Sequence, residues 1–207
     1  MQQYQTEQEN FWAGTFGDEY IKRNEGIHIL SSKTAFFAKV ISCIPGGDMS
    51  SCIEFGANIG LNLMALRRLL PMLEVSAVEI NAEAAERCAE IPEARVYNSS
   101  LFDFVSDEMY DMTFMSGVLI HINPDKLNEV YDLLYRHSKR YILINEYYNP
   151  VPVEVNYRGF SDRLFKRDFA GEFMDRFPDV RLLNYGFQYH RDKNFPMDDL
   201  NWFLMEK

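Results

Sequence analysis

Long apolar runs, paired cysteines and an excess of positive charge are all missing from this chain of 207 residues. No stretch approaches the roughly 18 apolar residues that a membrane-spanning helix needs, so no membrane partner is expected. Only three cysteines occur, Cys43, Cys52 and Cys88. An odd number without a C-x-x-C pair excludes a disulfide framework and a zinc motif. The expectation is no metal, and reduced, buried thiols in a cytoplasmic protein. Met1 to Glu7 lacks the charged-then-apolar pattern of a signal peptide. Lys and Arg number 21 against 31 Asp and Glu, a net charge of −10. Nucleic acid and anionic lipid both demand a basic face, so neither is expected as a partner. A small anionic substrate held by a few local cations remains compatible with this charge.

What is present is an ordinary globular composition. Apolar residues make up 47% and charged residues 25%, which places the chain among folded rather than disordered proteins. The length fits one domain with a full hydrophobic core. Aromatic content is high at 14%, compatible with a lined pocket or an aromatic core.

The elements alternate. After a polar, aromatic start with Gly14 and Gly17 as turn residues, Ser31-Ser32 is positioned to cap a helix with Ala35, Phe36, Val40 and Ile41 on its apolar face. Pro45-Gly46-Gly47-Asp48 breaks it. Strands are expected at Ser51–Phe55, Leu73–Ile80, Ala94–Tyr97, Tyr110–Gly117 and Arg140–Glu146. Helices are expected at Leu61–Leu70, Ala82–Glu90 and, after Pro124, Lys126–Ser138. This order means βαβ units and a parallel sheet covered on both faces. Asp162–Phe177 reads as an amphipathic helix. Val180–Tyr189 and Asn201–Glu206 read as strands with no room for a crossover between them, hence antiparallel neighbours at the sheet edge.

The most specific local signal is Glu54-Phe55-Gly56-Ala57-Asn58-Ile59-Gly60. It follows a strand and opens a helix, where small residues let the backbone pass close to a ligand. A dinucleotide fingerprint needs glycine at 58 and 61, but Asn58 and Leu61 stand there. That disfavours pyrophosphate, and a nucleotide-sugar dehydrogenase with it. A carboxylate at Glu54 repels phosphate and suits an ammonium or sulfonium. Glu79 ends the next strand, 25 residues on, the usual acceptor for a ribose diol. An adenosine ligand without pyrophosphate satisfies these conditions, and S-adenosylmethionine is one.

The sequence resembles class I S-adenosylmethionine-dependent methyltransferases, and most closely the pseudaminic acid biosynthesis-associated methylases. The matching stretches include Glu9–Gly14, Phe16–Ile21, Arg23-Asn24, Glu54–Gly60, Gly117–Pro124, Asn145–Pro150, Tyr157–Gly159, Asp162–Gly171 and Tyr185–Phe187. The resemblance implies a Rossmann-like α/β fold, a seven-stranded sheet ordered 3-2-1-4-5-7-6 with strand 7 antiparallel. It implies one domain over 1–207, with 1–45 a helical cap over the cofactor and 46–207 the core. Carried over to this chain, Gly56, Ala57 and Gly60 lie under the methionine and ribose. Glu54 faces the amino-acid end, Glu79 takes the ribose hydroxyls, and Ser100 and Leu101 hold the adenine. Gly117 and Val118 border the methionine tail, while Tyr20 and Arg23 close over it, Arg23 pairing with the carboxylate. Ser100 departs from the Asp common at that position.

The acceptor is expected beyond strands 4 and 5. There His121 is a candidate base, Glu146 a carboxylate closing an apolar strand, and Tyr147 and Tyr148 candidates for contacting the acceptor. Arg158 and Arg163 belong to a cation-rich segment that suits an acidic acceptor, a sugar or sugar nucleotide. A solvated helix face is the alternative for that segment. The expected protein is a monomer or homodimer that transfers a methyl group to a small sugar-derived molecule. The alternatives are a non-catalytic S-adenosylmethionine-binding regulator and a methyltransferase for another metabolite or a protein side chain. A base-flipping N-P-P-[YF] motif is absent, since strand 4 ends Ser116-Gly117-Val118.

Overall fold

The computed structural model describes residues 4–23, 26–47, 49–156 and 164–207. Two short helices, α1 (Glu7–Ala13) and α2 (Thr15–Arg23), precede the longer α3 (Ile27–Ser42). Then follow β1 (Ser51–Phe55), α4 (Leu61–Leu69), β2 (Glu74–Glu79), α5 (Ala82–Cys88), β3 (Arg95–Asn98) and β4 (Tyr110–Ser116). A 3₁₀ turn at Pro124–Lys126 leads into α6 (Leu127–His137) and β5 (Ser138–Glu146). The chain ends with β6 (Val153–Glu154), β7 (Phe165–Lys166), α7 (Phe169–Arg176), β8 (Arg181–Phe187) and β9 (Asn201–Glu206).

Seven strands form one sheet in the order β3-β2-β1-β4-β5-β9-β8. The pairs from β3 to β5 are parallel, and β9 runs antiparallel to both β5 and β8. The short β6 and β7 make a separate antiparallel ribbon. Without that ribbon the order is the expected one, because the short link from β8 to β9 forces reversal whereas helices carry the earlier crossovers.

Period-two alternation divides each central strand between two cores. Cys52, Met112, Phe114, Tyr141 and Leu143 face a cluster with Phe37, Val40, Leu63 and Leu66 from α3 and α4. Ile53, Phe55, Met115, Ile142 and Ile144 face a second cluster with Val130, Tyr131, Leu134 and Phe173 from α6 and α7. Both faces of β1 are therefore buried along its whole length, Glu54 included. At the edge, Arg140 and Arg181 both bond the carboxylate of Glu206, tying three strands together.

Three expectations are corrected. Ser31 and Ser32 lie inside α3, which begins at Ile27 after Gly26. Leu30 belongs to the same buried face as Phe37 and Val40, so the apolar stripe draws the helix back by a turn. The helix expected over 162–177 begins only at Phe169, where the Asp168 side chain accepts from Gly171 N at 2.9 Å and caps it. Phe165 and Lys166 are strand instead, while Asp162 falls outside the described residues. Cys43 is only half-buried, unlike the buried free thiols Cys52 and Cys88.

Gly186 on β8 lies against the indole of Trp202, and an added Cβ would sit 2.6 Å from its Nε1. Gly186→Ala is expected to cost about 1–3 kcal/mol through overpacking. Thermal denaturation would show a clear fall in Tm, and an unchanged Tm would contradict this packing.

Candidate active site

The loop after β1 is built on left-handed backbone. Gly56, Asn58 and Gly60 have φ of 79°, 50° and 78°. Asn58 takes the position where a dinucleotide loop has glycine, because asparagine tolerates this region better than other side chains. Gly56 N and Ala57 N donate to Val78 O at 2.8 and 3.2 Å. Asn58 N donates to Glu79 Oε2 at 2.7 Å, and Asn81 N donates to Glu79 Oε1 at 2.8 Å. Glu79 thus ties the glycine loop to the start of α5. Burial pushes its carboxyl up, opposed by the Asn81 and Asn58 amides.

Gly56 and Gly60 serve different ends. An added Cβ on Gly56 would meet Val118 Cγ2 at 2.6 Å, so this glycine sets the approach of the loops after β1 and β4. On Gly60 it would meet Ile91 Cδ1 at 2.5 Å and Cys88 Sγ at 2.8 Å. Gly60 therefore opens α4 and packs against α5 instead of lining the cavity, a correction to its expected place.

Above this loop lies a cavity of about 170 Å³. Its base is Lys33, Glu54, Gly56, Ala57 and Asn62; Glu79, Ile80 and Asn81 form its middle. Ser99, Ser100, Leu101 and Phe102 form the far end, and Ser116, Gly117, Val118 and His121 the side under β4. Thr6, Gln8, Glu9, Trp12 and Tyr20 from α1 and α2 close it. The expected Tyr20, Glu54, Gly56, Ala57, Glu79, Ser100, Leu101, Gly117, Val118 and His121 thus share one cavity. Arg23 belongs to α2, but its side chain lies outside the described residues.

Glu54 is 1% exposed. Its Oε1 accepts from Asn62 Nδ2 at 2.5 Å, and its Oε2 has no hydrogen-bond partner. Burial pushes this carboxyl up to about 8, against the pull of Asn62 and Lys33. A buried acceptor without a donor is costly, and Glu54 is among the residues that line the cavity. The same oxygen fits a ligand bearing a cationic N–H.

Two side-chain bonds, Ser100–Glu9 and Asn81–Asp18, fasten the first helices over the cavity. Ser100 Oγ donates to Glu9 Oε1, so the hydroxyl expected at the adenine is already engaged. Glu9 Oε2 also accepts from Thr6 N at 2.7 Å, completing a capping box. Asn81 Nδ2 donates to Asp18 Oδ1 at 2.7 Å. Trp12 lies against His121 with ring centroids 4.6 Å apart. Gly17 is a helical residue of α2 rather than a turn residue. An added Cβ there would fall 2.0 Å from Trp12 O. Gly17→Ala is expected to shift α2 off Trp12 and Asn81 and weaken ligand binding at least about 10-fold, a loss of about 1.4 kcal/mol. Calorimetry with S-adenosylhomocysteine checks it; unchanged affinity would show that these helices do not close on the ligand.

Glu146, Tyr147 and Tyr148 stand apart from the large cavity. Glu146 Oε1 accepts from Val118 N and Leu119 N at 2.8 and 2.9 Å, which holds the loop after β4 from beneath. Its Oε2 has no hydrogen-bond partner. Together with Tyr147, Tyr148 and Arg167 it lines a small neighbouring crevice. Lys166 Nζ lies 4.7 Å from the Tyr147 ring centre, and Arg167 Nε donates to Glu172 Oε1 at 2.7 Å. Lys166 and Arg167, which belong to the same cation-rich segment, are thereby engaged within the fold, and Arg158 and Arg163 lie outside the described residues.

Burial pushes Glu146 up to about 7. A carboxyl raised on folding stabilises fully below the ordinary carboxylate range, and that contribution is lost as pH rises through the folded value. Tm is therefore expected to decline between about pH 5 and 8, and Glu146→Gln to flatten the slope. An identical pH profile in the variant would contradict it.

Among the described residues, no cluster of three or more His, Cys, Asp or Glu side chains is placed to hold a metal ion. No described helix is long and apolar enough to cross a membrane.

Sequence reasoning missed Lys33, Asn62, Asn81 and the Glu9–Ser100 contact. Only the Thr6…Glu9 capping-box spacing offered a local signal.

No protein-family model and no curated protein matches the chain. Solved structures do. Magnesium protoporphyrin IX methyltransferase from Synechocystis PCC 6803, with S-adenosylhomocysteine bound, aligns over 96% of this chain and 97% of that one, with TM-score 0.69 and 11% identity. A plantazolicin methyltransferase with the same ligand aligns over 97% and 93%, with TM-score 0.67 and 14% identity. A SAM-dependent methyltransferase from Leishmania major aligns over 98% and 87%, with TM-score 0.69 and 16% identity. The chain has the Rossmann-like class I methyltransferase fold.

Proposed function

We propose that this protein is an S-adenosylmethionine-dependent methyltransferase acting on a small, acidic, sugar-derived acceptor. The observation that carries the reading is the single cavity joining Glu54, the left-handed glycine loop and Glu79. The donor set fits the cofactor: an orphaned buried carboxylate oxygen for an ammonium, a close-packed glycine for backbone approach, and an acid at the ribose position. Tyr20, Arg23, Glu54, Gly56, Ala57, Glu79, Ser100, Leu101, Gly117 and Val118 are the proposed cofactor residues, with Gly60 supporting the loop. Residues 1–45 act as the cap and 46–207 as the core of one domain.

Bound S-adenosylmethionine would supply a methyl group already activated by its sulfonium. The chain's own task is then to orient and to exclude water. Trp12 and Tyr20 cover the cavity, while Gly117 and Val118 border the reacting end. His121, whose ring also lines the cavity, is the proposed base for a hydroxyl or ammonium acceptor. Glu146 acts on the reaction by fixing the Val118 and Leu119 amides at the edge of the cavity. Tyr147 and Tyr148 are proposed to flank the acceptor, with Arg158 and Arg163 holding its negative charge. The resemblance to pseudaminic acid-associated methylases supports a surface-glycan substrate, a sugar or sugar nucleotide. A cytoplasmic setting, a monomer or homodimer, and no nucleic-acid or membrane partner belong to the same reading.

Incubation with labelled methyl donor and fractionated cell extract, followed by mass analysis, tests it. A labelled acidic sugar is expected. Cofactor binding without labelling of any fraction would favour a regulatory role, and labelling confined to polypeptide would overturn the acceptor class.

A further inference from the structure

Ten large apolar side chains are exposed among the described residues, and five of them, Leu182, Tyr185, Phe187, Tyr189 and Phe195, fall between positions 182 and 195. Single exposed apolar residues are ordinary, but a contiguous patch marks an interaction surface. β8 is the last strand of the sheet. Its bulge between Leu182 and Asn184 resets the alternation of side chains. Leu182, Tyr185 and Phe187 therefore stand opposite Met205, Phe203 and Asn201 on one face, while Leu183 packs into the core on the other. Phe203 continues the row inward. Its ring centre lies 6.3 Å from that of Tyr185, with planes 17° apart, and 6.1 Å from that of Tyr148. Outward, Phe187 lies 6.0 Å from Tyr189. Helices α6 and α7 cover β4 and β5 on this face, but Leu182, Tyr185 and Phe187 belong to no core cluster.

We propose that this aromatic face of β8 and β9 is the contact surface of a homodimer, packed against the same face of a second copy. Such a dimer does not depend on what the cavity binds. Charge favours a second copy as the occupant. Leu182 to Tyr189 contains no Asp, Glu, Lys or Arg, on a chain of net charge −10. Arg181, just before it, is bonded to Glu206. Two copies meeting here bring no acid against acid, whereas a basic partner is drawn to the acidic surface elsewhere and anionic lipid is repelled. Area favours it too. Tyr148, Tyr185, Phe187 and Tyr189 are between 39% and 66% exposed, which at the usual area of an aromatic side chain offers roughly 400 Å². A standard interface takes about 800 Å² from each copy, somewhat over half of it apolar. The row with Leu182 supplies nearly all of that apolar share, and a face that meets itself closes as a two-fold dimer. The copies meet face to face and do not extend the sheet. Gln188 N donates to Leu200 O at 2.8 Å, so by alternation the N–H of Tyr185 points away from β9. It donates to Asn184 Oδ1 at 2.8 Å, and the strand edge is blunted by the chain's own amide.

Sedimentation equilibrium of the full chain tests the dimer. At about 50 µM the wild type is expected at twice the mass of one chain, for a Kd of micromolar order. Tyr185→Glu places like charges in the shared face and is expected to weaken association at least about 30-fold, as for a lost interface aromatic. Its circular dichroism spectrum is expected to stay that of wild type, because Tyr185 is exposed and outside the core. Phe187→Ala adds no charge and is expected to weaken association in the same direction. Met72→Glu, at an exposed residue in the turn between α4 and β2, is expected to sediment as wild type. A wild type that stays monomeric at that concentration would overturn the proposal, and its co-sedimentation with phosphatidylcholine vesicles would give the face to lipid instead. A dimer left intact by both Tyr185→Glu and Phe187→Ala, or dissociated by Met72→Glu, would put the interface elsewhere and overturn it equally.

Discussion

Glu79→Ala is expected to lower affinity for S-adenosylhomocysteine about 100-fold, a loss of about 2.7 kcal/mol. Two effects combine. The proposed ribose hydroxyls lose a charged acceptor, and each such bond contributes about 1.5–3 kcal/mol. The amides of Asn58 and Asn81 also lose theirs, at 2.7 and 2.8 Å, so the loop and the start of α5 come apart. Glu79→Gln keeps one oxygen for these contacts and is expected to fall between wild type and alanine. Calorimetric titration distinguishes them. Equal affinity in wild type and Glu79→Ala would mean that Glu79 only holds the loop in the free protein.

Gly56→Ala is expected to damage both stability and binding. Its φ of 79° places any side chain in the left-handed region, at about 1–2 kcal/mol. The new methyl would also press on Val118 Cγ2 at 2.6 Å, forcing apart the two loops that frame the cavity. Gly117 supplies the control for stability. Its φ is 70°, yet an added Cβ there meets nothing within 4 Å, so the fall in Tm of Gly117→Ala is expected to show the backbone cost alone. Combining Gly56→Ala with Val118→Ala is expected to recover the steric part. Thermal denaturation and calorimetry together read the two components. A Gly56→Ala protein with wild-type affinity would show that the loop does not approach the ligand.

The sheet was legible because its causes are local. β1, β2, β4 and β5 are short apolar runs punctuated by Gly56, Pro71, Gly117 and Pro124, and each punctuation lies where the fold turns. The acids at strand ends were legible for the same reason, since Glu54 and Glu79 lie at the carboxyl ends of the adjacent parallel strands β1 and β2. Less legible were contacts made across long separations. Glu9 meets Ser100, and Lys33 meets Asn62 29 positions on. Nothing in either neighbourhood announces the other. The α7 boundary was misread because the apolar rhythm continues through Asp168, and only the capping bond to Gly171 shows where the helix starts. Gly60 was misplaced because a glycine that packs against Ile91 and Cys88 looks, in sequence, the same as one that faces a ligand. Tyr147 and Tyr148 follow β5 as expected, but they line a crevice with Glu146 and Arg167 and are not among the residues lining the large cavity.

Crystals grown with saturating S-adenosylhomocysteine test the central claim most directly. The account predicts continuous ligand density from Glu54, past Glu79, to Ser99–Phe102, beneath Trp12 and Tyr20. A cavity empty of that ligand, or the ligand bound elsewhere on the chain, would contradict it.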